Sequence, residues 1–96
     1  MAAKRKLQWT GPALRDLAEM RAWISRDNRA AARRLAQRIR EAVKRAQRYP
    51  ESGRIVPEIT STGFREVIVS PYRVIYAVRG DALVVLRVWH AKRQLG

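Results

Sequence analysis

The sequence predicts an α+β fold, in which an antiparallel helical hairpin packs on one face of a small, mainly antiparallel β-sheet. Two patterns lead to this prediction. Apolar side chains recur at helical spacing over residues 13–46, whereas residues 64–90 contain short runs of β-favouring residues separated by turn residues. The predicted order is β-α-α-β-β-β. With 96 residues, 47% of them hydrophobic, the chain suits a single domain spanning residues 1–96.

The first half of the chain is predicted to form a short strand followed by two helices. Leu7–Trp9 suits the strand, and Thr10 is a candidate N-cap for the first helix. A break at Arg26-Asp27-Asn28 supplies the candidate cap of the second helix, which ends near Tyr49, just before a proline. The buried stripes predicted for the two helices are Ala13, Leu17, Met20 and Ile24, and then Ala32, Leu35, Ala36, Ile39, Val43 and Ala46.

Three strands are predicted in the second half, near residues 64–69, 72–78 and 83–89, and a tight Gly80-Asp81 turn joins the last two. Because side chains alternate along a strand, each strand divides into two faces. The face expected to pack on the helices carries Tyr72, Val74, Tyr76 and Val78 together with Val84, Leu86 and Val88. The opposite face carries Arg73, Ile75, Ala77 and Arg79 together with Leu83, Val85, Arg87 and Trp89.

Composition narrows the classes of function. The chain has 21 Lys and Arg against 8 Asp and Glu, a net charge of +13 that favours polyanionic or acidic partners. It has no cysteine and one histidine, which excludes disulfides, thiolate metal sites and multi-histidine sites, and no cofactor is expected. No apolar run is long enough to span a bilayer, so a soluble, cytoplasmic protein is expected. The second-helix arginines are interpreted first as a solvated face.

Arginines at strand positions are the most informative functional feature. An arginine in a sheet must be neutralised, solvated or used on a partner. Arg73 and Arg87, set among aliphatic and indole side chains, predict a face that binds a partner segment carrying apolar anchors and carboxylates. The alternative is that the two arginines pair with local acids such as Glu66 or Asp81, while Trp89 covers the sheet edge.

The whole chain resembles the ParE branch of the RelE/ParE superfamily of bacterial toxins. The resemblance is carried by segments in the same order and spacing: Leu7 and Trp9, Ala13 with Asp16-Leu17, Ala31-Ala32, Tyr49-Pro50-Glu51-Ser52-Gly53-Arg54, Phe64-Arg65-Glu66, Tyr72-Arg73-Val74-Ile75-Tyr76, and Val88-Trp89-His90-Ala91-Lys92-Arg93. It implies a toxin of a type II toxin–antitoxin pair that blocks DNA gyrase and is held inactive in a hetero-oligomer with a cognate ParD-like antitoxin. The residues expected to bind the antitoxin are Arg73, Ile75, Arg79, Val85, Arg87 and Trp89.

The same superfamily contains ribosome-dependent ribonucleases, and this activity is the alternative. Cleaving RNA through the 2′-hydroxyl needs a base, a cation for the phosphorane and an acid for the leaving oxygen. The candidates are Glu51, Arg73 and His90, although alternation places His90 on the opposite face from Arg87 and Trp89. The non-enzymatic reading is favoured on the family pattern. A plain nucleic-acid-binding module is a third reading, and direct contact with nucleic acid is expected to be secondary.

Overall fold

The computed structural model describes residues 5–92 and confirms the α+β architecture, with the helical hairpin lying on a five-stranded open sheet. The helices and strands, in chain order, are β1 (Lys6–Trp9), α1 (Gly11–Ser25), α2 (Arg29–Arg48), β2 (Arg54–Ile55), β3 (Arg65–Val69), β4 (Tyr72–Arg79) and β5 (Ala82–His90). Two 3₁₀ segments, Pro50–Ser52 and Pro57–Thr62, flank β2. The two-residue strand β2 was not predicted, because two residues are too few to show alternation.

Both helix caps form as predicted. The hydroxyl of Thr10 accepts a hydrogen bond from the Ala13 amide at 3.1 Å and donates one to the Leu86 carbonyl at 2.9 Å, which fixes the start of α1 beside β5. The side-chain oxygen of Asn28 accepts from the Ala31 amide at 2.9 Å. Each cap satisfies an amide that the first turn of a helix leaves without an intrahelical partner.

The strands lie in the order β1-β5-β4-β3-β2, with β1 parallel to β5 and all other neighbours antiparallel. The Gly80-Asp81 turn joins β4 to β5, and Gly80 has a φ of 59°, a left-handed conformation that glycine adopts without strain. One face of this sheet meets both helices. The core between them contains Ala13, Leu17 and Met20 from α1, Leu35, Ala36, Ile39, Val43 and Ala46 from α2, and Val74, Tyr76, Leu83, Val85 and Val88 from the sheet.

The predicted face assignment is wrong in the first half of β5, and the reason is a β-bulge. Tyr76 pairs with Val85 and Ile75 pairs with Arg87, so the extra residue Leu86 has no partner of its own. An extra residue moves the alternation by one position. Leu83 and Val85 therefore lie in the core at 0% exposure, while Val84 and Leu86, which were expected there, are only half-buried.

The helical stripes and the β4 face follow the prediction more closely. Every predicted stripe residue is buried except Ile24, which is partly buried against the same core. On β4, Val74 and Tyr76 are buried in the core and Tyr72 packs against it. Val78 was expected to be buried as well, but it lies near the end of the strand and is 45% exposed.

Candidate partner-binding surface and the strand arginines

Arg73 is neutralised within the chain by two carboxylates. Its Nε donates to Glu66 at 2.7 Å, and its Nη1 and Nη2 donate to the two oxygens of Glu58, each at 2.7 Å. The guanidinium side chain is only 7% exposed, and the hydrogen bonds to Glu58 and Glu66 raise its pKa. The alternative in which Arg73 pairs with acids of its own chain, such as Glu66, is thus confirmed.

Glu66 is the centre of this ion-pair network. Its side chain is fully buried, and its second oxygen accepts a hydrogen bond from Arg54 Nε at 2.7 Å across the β2–β3 pair. A buried carboxylate is tolerated only when its charge is compensated and hydrogen-bonded. Glu66 meets this requirement through one buried arginine and one arginine that is largely exposed.

Glu58 lies in the 3₁₀ segment Pro57–Thr62 and faces solvent more than Glu66 does, with a side chain that is 41% exposed. The hydrogen bond from Arg73 lowers the pKa of Glu58 from 4.5 to about 2. A carboxyl whose pKa is lower in the folded state stabilises the fold above its unfolded pKa. The contribution of Glu58 is therefore complete above about pH 4.5 and is lost as the pH falls through 2.

Arg87 pairs with Asp16 of α1 and not with Asp81, which instead lies 3.7 Å from the ammonium of Lys6. Arg87 Nε and Nη2 donate to the Asp16 carboxylate at 2.7 and 3.0 Å, and the Val88 amide donates to it at 3.0 Å. The hydrogen bond to Asp16 raises the pKa of Arg87. This pair was not predicted from the sequence, although Asp16 lies beside Leu17 on the buried side of α1, and an acid at a buried helix position indicates a partner of opposite charge.

Arg87 also stacks on Trp89, with its guanidinium carbon 4.6 Å from the ring centroid. The indole N–H of Trp89 is buried and has no hydrogen-bond acceptor among residues 5–92. Arg73 pairs across the strands with Trp89, and Ile75 pairs with Arg87, so these four residues share one face as the alternation predicted.

Only some of the residues predicted to bind the antitoxin are exposed to solvent. Arg79 is exposed, and the Arg87 side chain is 38% exposed. Ile75 is 4% exposed, and Arg73 is held by Glu58 and Glu66. Val85 is the clear correction, because the β-bulge turns it into the core and leaves it unable to contact a partner.

A basic groove of about 570 Å³ runs past Arg79. Its charged lining consists of Arg5, Arg65 and Arg79 with one acid, Glu51. Phe64 and Val78 supply apolar surface, and the Arg79 guanidinium carbon lies 5.8 Å from the centroid of the Phe64 ring. This combination of arginines and exposed apolar groups suits an acidic segment with apolar anchors.

The three nuclease candidates lie in different environments. His90 packs edge-on against Tyr72, with ring centroids 5.4 Å apart, and lines a separate cleft of about 480 Å³ with Met20 and Trp23 of α1. Glu51 lies in the 3₁₀ turn Pro50–Ser52 and lines the basic groove, while Arg73 is held in its ion-pair network. An acid, a base and a phosphate-binding cation must converge on one reacting phosphate, and this arrangement does not bring the three together.

Two classes of site are not found in the part of the chain that the structure describes. No three His, Cys, Asp or Glu side chains between residues 5 and 92 come close enough to hold a metal ion. Neither helix in that range combines the length and the apolar character that crossing a membrane requires.

A helical hairpin on an open sheet, with arginines on the sheet face opposite the helices, is the arrangement of the small toxins of the RelE/ParE class. The sequence model of the ParE toxins of type II toxin–antitoxin systems matches residues 7–95, and the chain belongs to this family.

Comparison with individual proteins agrees with this assignment. Toxin RelE2 of Caulobacter vibrioides is 36% identical over 85 residues, covering 88% of this chain and 93% of that toxin. The putative toxin Y4kP of Sinorhizobium fredii is 38% identical over 94 residues, covering 96% of this chain and 94% of the relative. A solved structure described as the chromosomal ParDE TA system from P. aeruginosa superposes with a TM-score of 0.73 at 26% identity, covering 91% of this chain and 96% of that one.

Proposed function

We propose that this toxin arrests growth by inhibiting DNA gyrase in the cytoplasm, as a protein-binding inhibitor and not as a nuclease. The observation that carries the proposal is that Arg73 and His90, although on neighbouring strands, lie on opposite faces of the sheet in a chain of the ParE family, while Glu51 lines the basic groove. Each of the three guanidinium nitrogens of Arg73 donates to a carboxylate, so turning the guanidinium toward a scissile phosphate would first require breaking those pairs. A protein-binding mechanism needs no such rearrangement.

Ribosome-dependent cleavage of mRNA is the second candidate. It is favoured by the name of one relative, Toxin RelE2, and by the presence of Arg73 and His90 at strand positions. In this mechanism His90 would act as the acid or base from its cleft beside α1, and the Arg73 guanidinium would leave Glu58 to reach the phosphate.

A paired assay separates the two targets. Purified toxin added to gyrase and relaxed plasmid should abolish supercoiling near stoichiometric ratios and increase the fraction of cleaved plasmid recovered after protein denaturation. The same preparation added to a translating extract should leave the message intact by primer extension. Supercoiling that persists at a large excess of toxin would contradict gyrase inhibition, and toxin-dependent cuts that disappear in His90→Ala would establish the nuclease.

The family context supplies an antitoxin as the partner of this toxin. We propose that an acidic, apolar-anchored segment of the antitoxin occupies the basic groove and pairs with Arg79. Arg79 is exposed, and its guanidinium lies over the ring of Phe64, which also lines the groove. Arg87 and Trp89 form the second part of the proposed surface, whereas charge reversal at Arg73 would also break its internal ion pairs.

Arg79→Glu should therefore weaken the toxin–antitoxin complex by at least tenfold, about 1.4 kcal/mol or more, because it places a carboxylate against acidic groups of the partner. Isothermal titration calorimetry with the cognate antitoxin measures the change. Arg15→Glu, the same substitution at an exposed position of α1 outside the groove, is the matched control and should bind normally. Equal affinities for the two variants would place the antitoxin elsewhere.

A further inference from the structure

Helix α2 carries more than half of the net charge of the chain. Its 20 residues contain seven arginines and one lysine against a single acid, Glu41, which gives +7 of the total +13. All eight cationic side chains are exposed: Arg29, Arg33, Arg34, Arg38, Arg40, Lys44, Arg45 and Arg48. The opposite side of the same helix is the buried stripe, so the charge lies on one half of the cylinder.

These cations differ from Arg54, Arg73 and Arg87 of the sheet, because no carboxylate among residues 5–92 neutralises them. Within residues 5–92, Arg54, Arg73, Arg87 and Lys6 form ion pairs, and none of the eight cations of α2 lies within 4.0 Å of an acid. The one side-chain hydrogen bond that these eight residues donate to another part of residues 5–92 is a long one, from Arg38 to the Ser70 carbonyl at 3.4 Å. The charge of α2 is thus available to an external polyanion.

Helical geometry arranges seven of the eight cations in two rows. At 3.6 residues per turn, Arg29, Arg33, Arg40 and Lys44 fall along one side of the exposed half, and Arg34, Arg38 and Arg45 fall along the other. The rows are separated by roughly 130° around the axis and extend for about 22 and 16 Å along it. Gln37, Glu41 and Arg48 lie between them.

This arrangement matches the major groove of duplex DNA. A helix with its side chains is about 10–12 Å across, and the B-form major groove is about 12 Å wide with a phosphate backbone on each side. A helix lying in that groove would direct one row of cations toward each backbone. The A-form major groove of duplex RNA is deep and narrow and does not admit a helix in this way.

We propose that α2 is a sequence-independent binding site for duplex DNA, in which its two rows of arginines and lysine contact the phosphates on both sides of the major groove. All of the proposed contacts are to phosphates, which position a protein on DNA but carry no sequence information. This activity goes beyond gyrase inhibition. It would hold the toxin on the DNA that gyrase is acting upon, and it is measurable in the absence of gyrase.

The test is fluorescence anisotropy of purified toxin with a labelled 20-base-pair DNA duplex, titrated at several salt concentrations. The triple variant Arg34→Gln/Arg40→Gln/Arg45→Gln removes cations from both rows and keeps good helix formers on an exposed surface. Its affinity should fall at least tenfold, and the slope of log affinity against log salt should lose about 3. The matched variant Arg15→Gln/Arg26→Gln/Lys92→Gln removes the same charge elsewhere and should retain most of the affinity and slope.

Three results would overturn the proposal: no DNA binding at low salt, equal losses in the two triple variants, or duplex RNA binding as tightly as duplex DNA. The second would mean that overall charge attracts DNA without a site on α2, and the third would mean that the fit to the major groove is not used. Circular dichroism of each variant establishes that the helices are intact. Because the assay contains no gyrase, its failure leaves gyrase inhibition standing, and a toxin that fails to inhibit gyrase can still pass it.

Discussion

Replacing Arg73 with methionine should lower the free energy of unfolding by about 3 kcal/mol or more, because it leaves a buried carboxylate without its buried counter-ion. Glu66 is completely buried, and after the substitution only the largely exposed Arg54 would remain to compensate its charge. Glu58 would lose both of its hydrogen bonds from the guanidinium. Methionine fills much of the volume of the arginine stem, so the loss reports on charge more than on packing.

Urea denaturation followed by circular dichroism measures this change. Arg54→Met is the matched control, since it also removes one hydrogen bond to Glu66 but from a side chain that is 61% exposed, and its effect should be clearly smaller. The double variant Arg73→Met/Glu66→Leu should recover much of the stability, because removing both members of a buried pair eliminates the unpaired charge. A single Arg73 variant no less stable than Arg54→Met would contradict the role assigned to the network.

This expectation affects how functional data on Arg73 are interpreted. Loss of toxicity, of RNA cleavage or of antitoxin binding in an Arg73 variant has the same appearance whether the arginine contacts a partner or maintains the sheet. Glu58→Gln separates these roles, since it replaces the charged two-point contact with Arg73 by at most one hydrogen bond to a neutral amide and leaves the pair with Glu66 in place. A catalytic arginine would become more available to a phosphate in this variant, whereas a structural arginine would not gain activity.

The helical hairpin was predictable because the residues that specify each helix lie within that helix or directly beside it in the sequence. Thr10 and Asn28 act on amides three residues away, and the period of the apolar residues in α2 specifies the buried face without reference to any other element. The β4–β5 hairpin was predictable for the same reason. Gly80 marks its turn, and the two strands that the turn joins lie directly on either side of it in the sequence.

The partners of the strand arginines were less predictable, because these contacts join residues that are far apart in the sequence. Arg87 and Asp16 are 71 positions apart, and alternation indicates which face a side chain occupies but not which helix residue meets it. The bulge at Leu86 has no simple sequence signature in a run of apolar residues, and it moved Val85 from the predicted binding face into the core. Glu58 lies in an irregular 3₁₀ segment where no periodicity applies.

A side chain at position 53 is expected to cause the second large loss of stability. The reason also explains why the Tyr49–Arg54 segment contains a glycine. The phenol of Tyr76 is buried under this turn, where it accepts a hydrogen bond from the Gly53 amide at 3.0 Å and donates one to the Pro50 carbonyl at 2.6 Å. Burial raises the pKa of the phenol, which keeps it a donor. A Cβ on residue 53 would overlap the phenol oxygen and lie 2.7 Å from the Glu66 carbonyl oxygen.

Gly53→Ala should therefore lower the free energy of unfolding by about 3 kcal/mol, since the overlap involves backbone and a buried ring that cannot move freely, and relief would cost the hydrogen bonds of Tyr76. Thermal and urea denaturation measure the effect. Gly11→Ala is the matched control: its Cβ would meet only the flexible end of Arg15, at 3.4 Å, and it should be nearly neutral. Adding Tyr76→Phe to Gly53→Ala should restore only part of the loss, because the Glu66 carbonyl remains in place. A Gly53→Ala variant as stable as the Gly11 control would mean that the turn does not pack on Tyr76 as described.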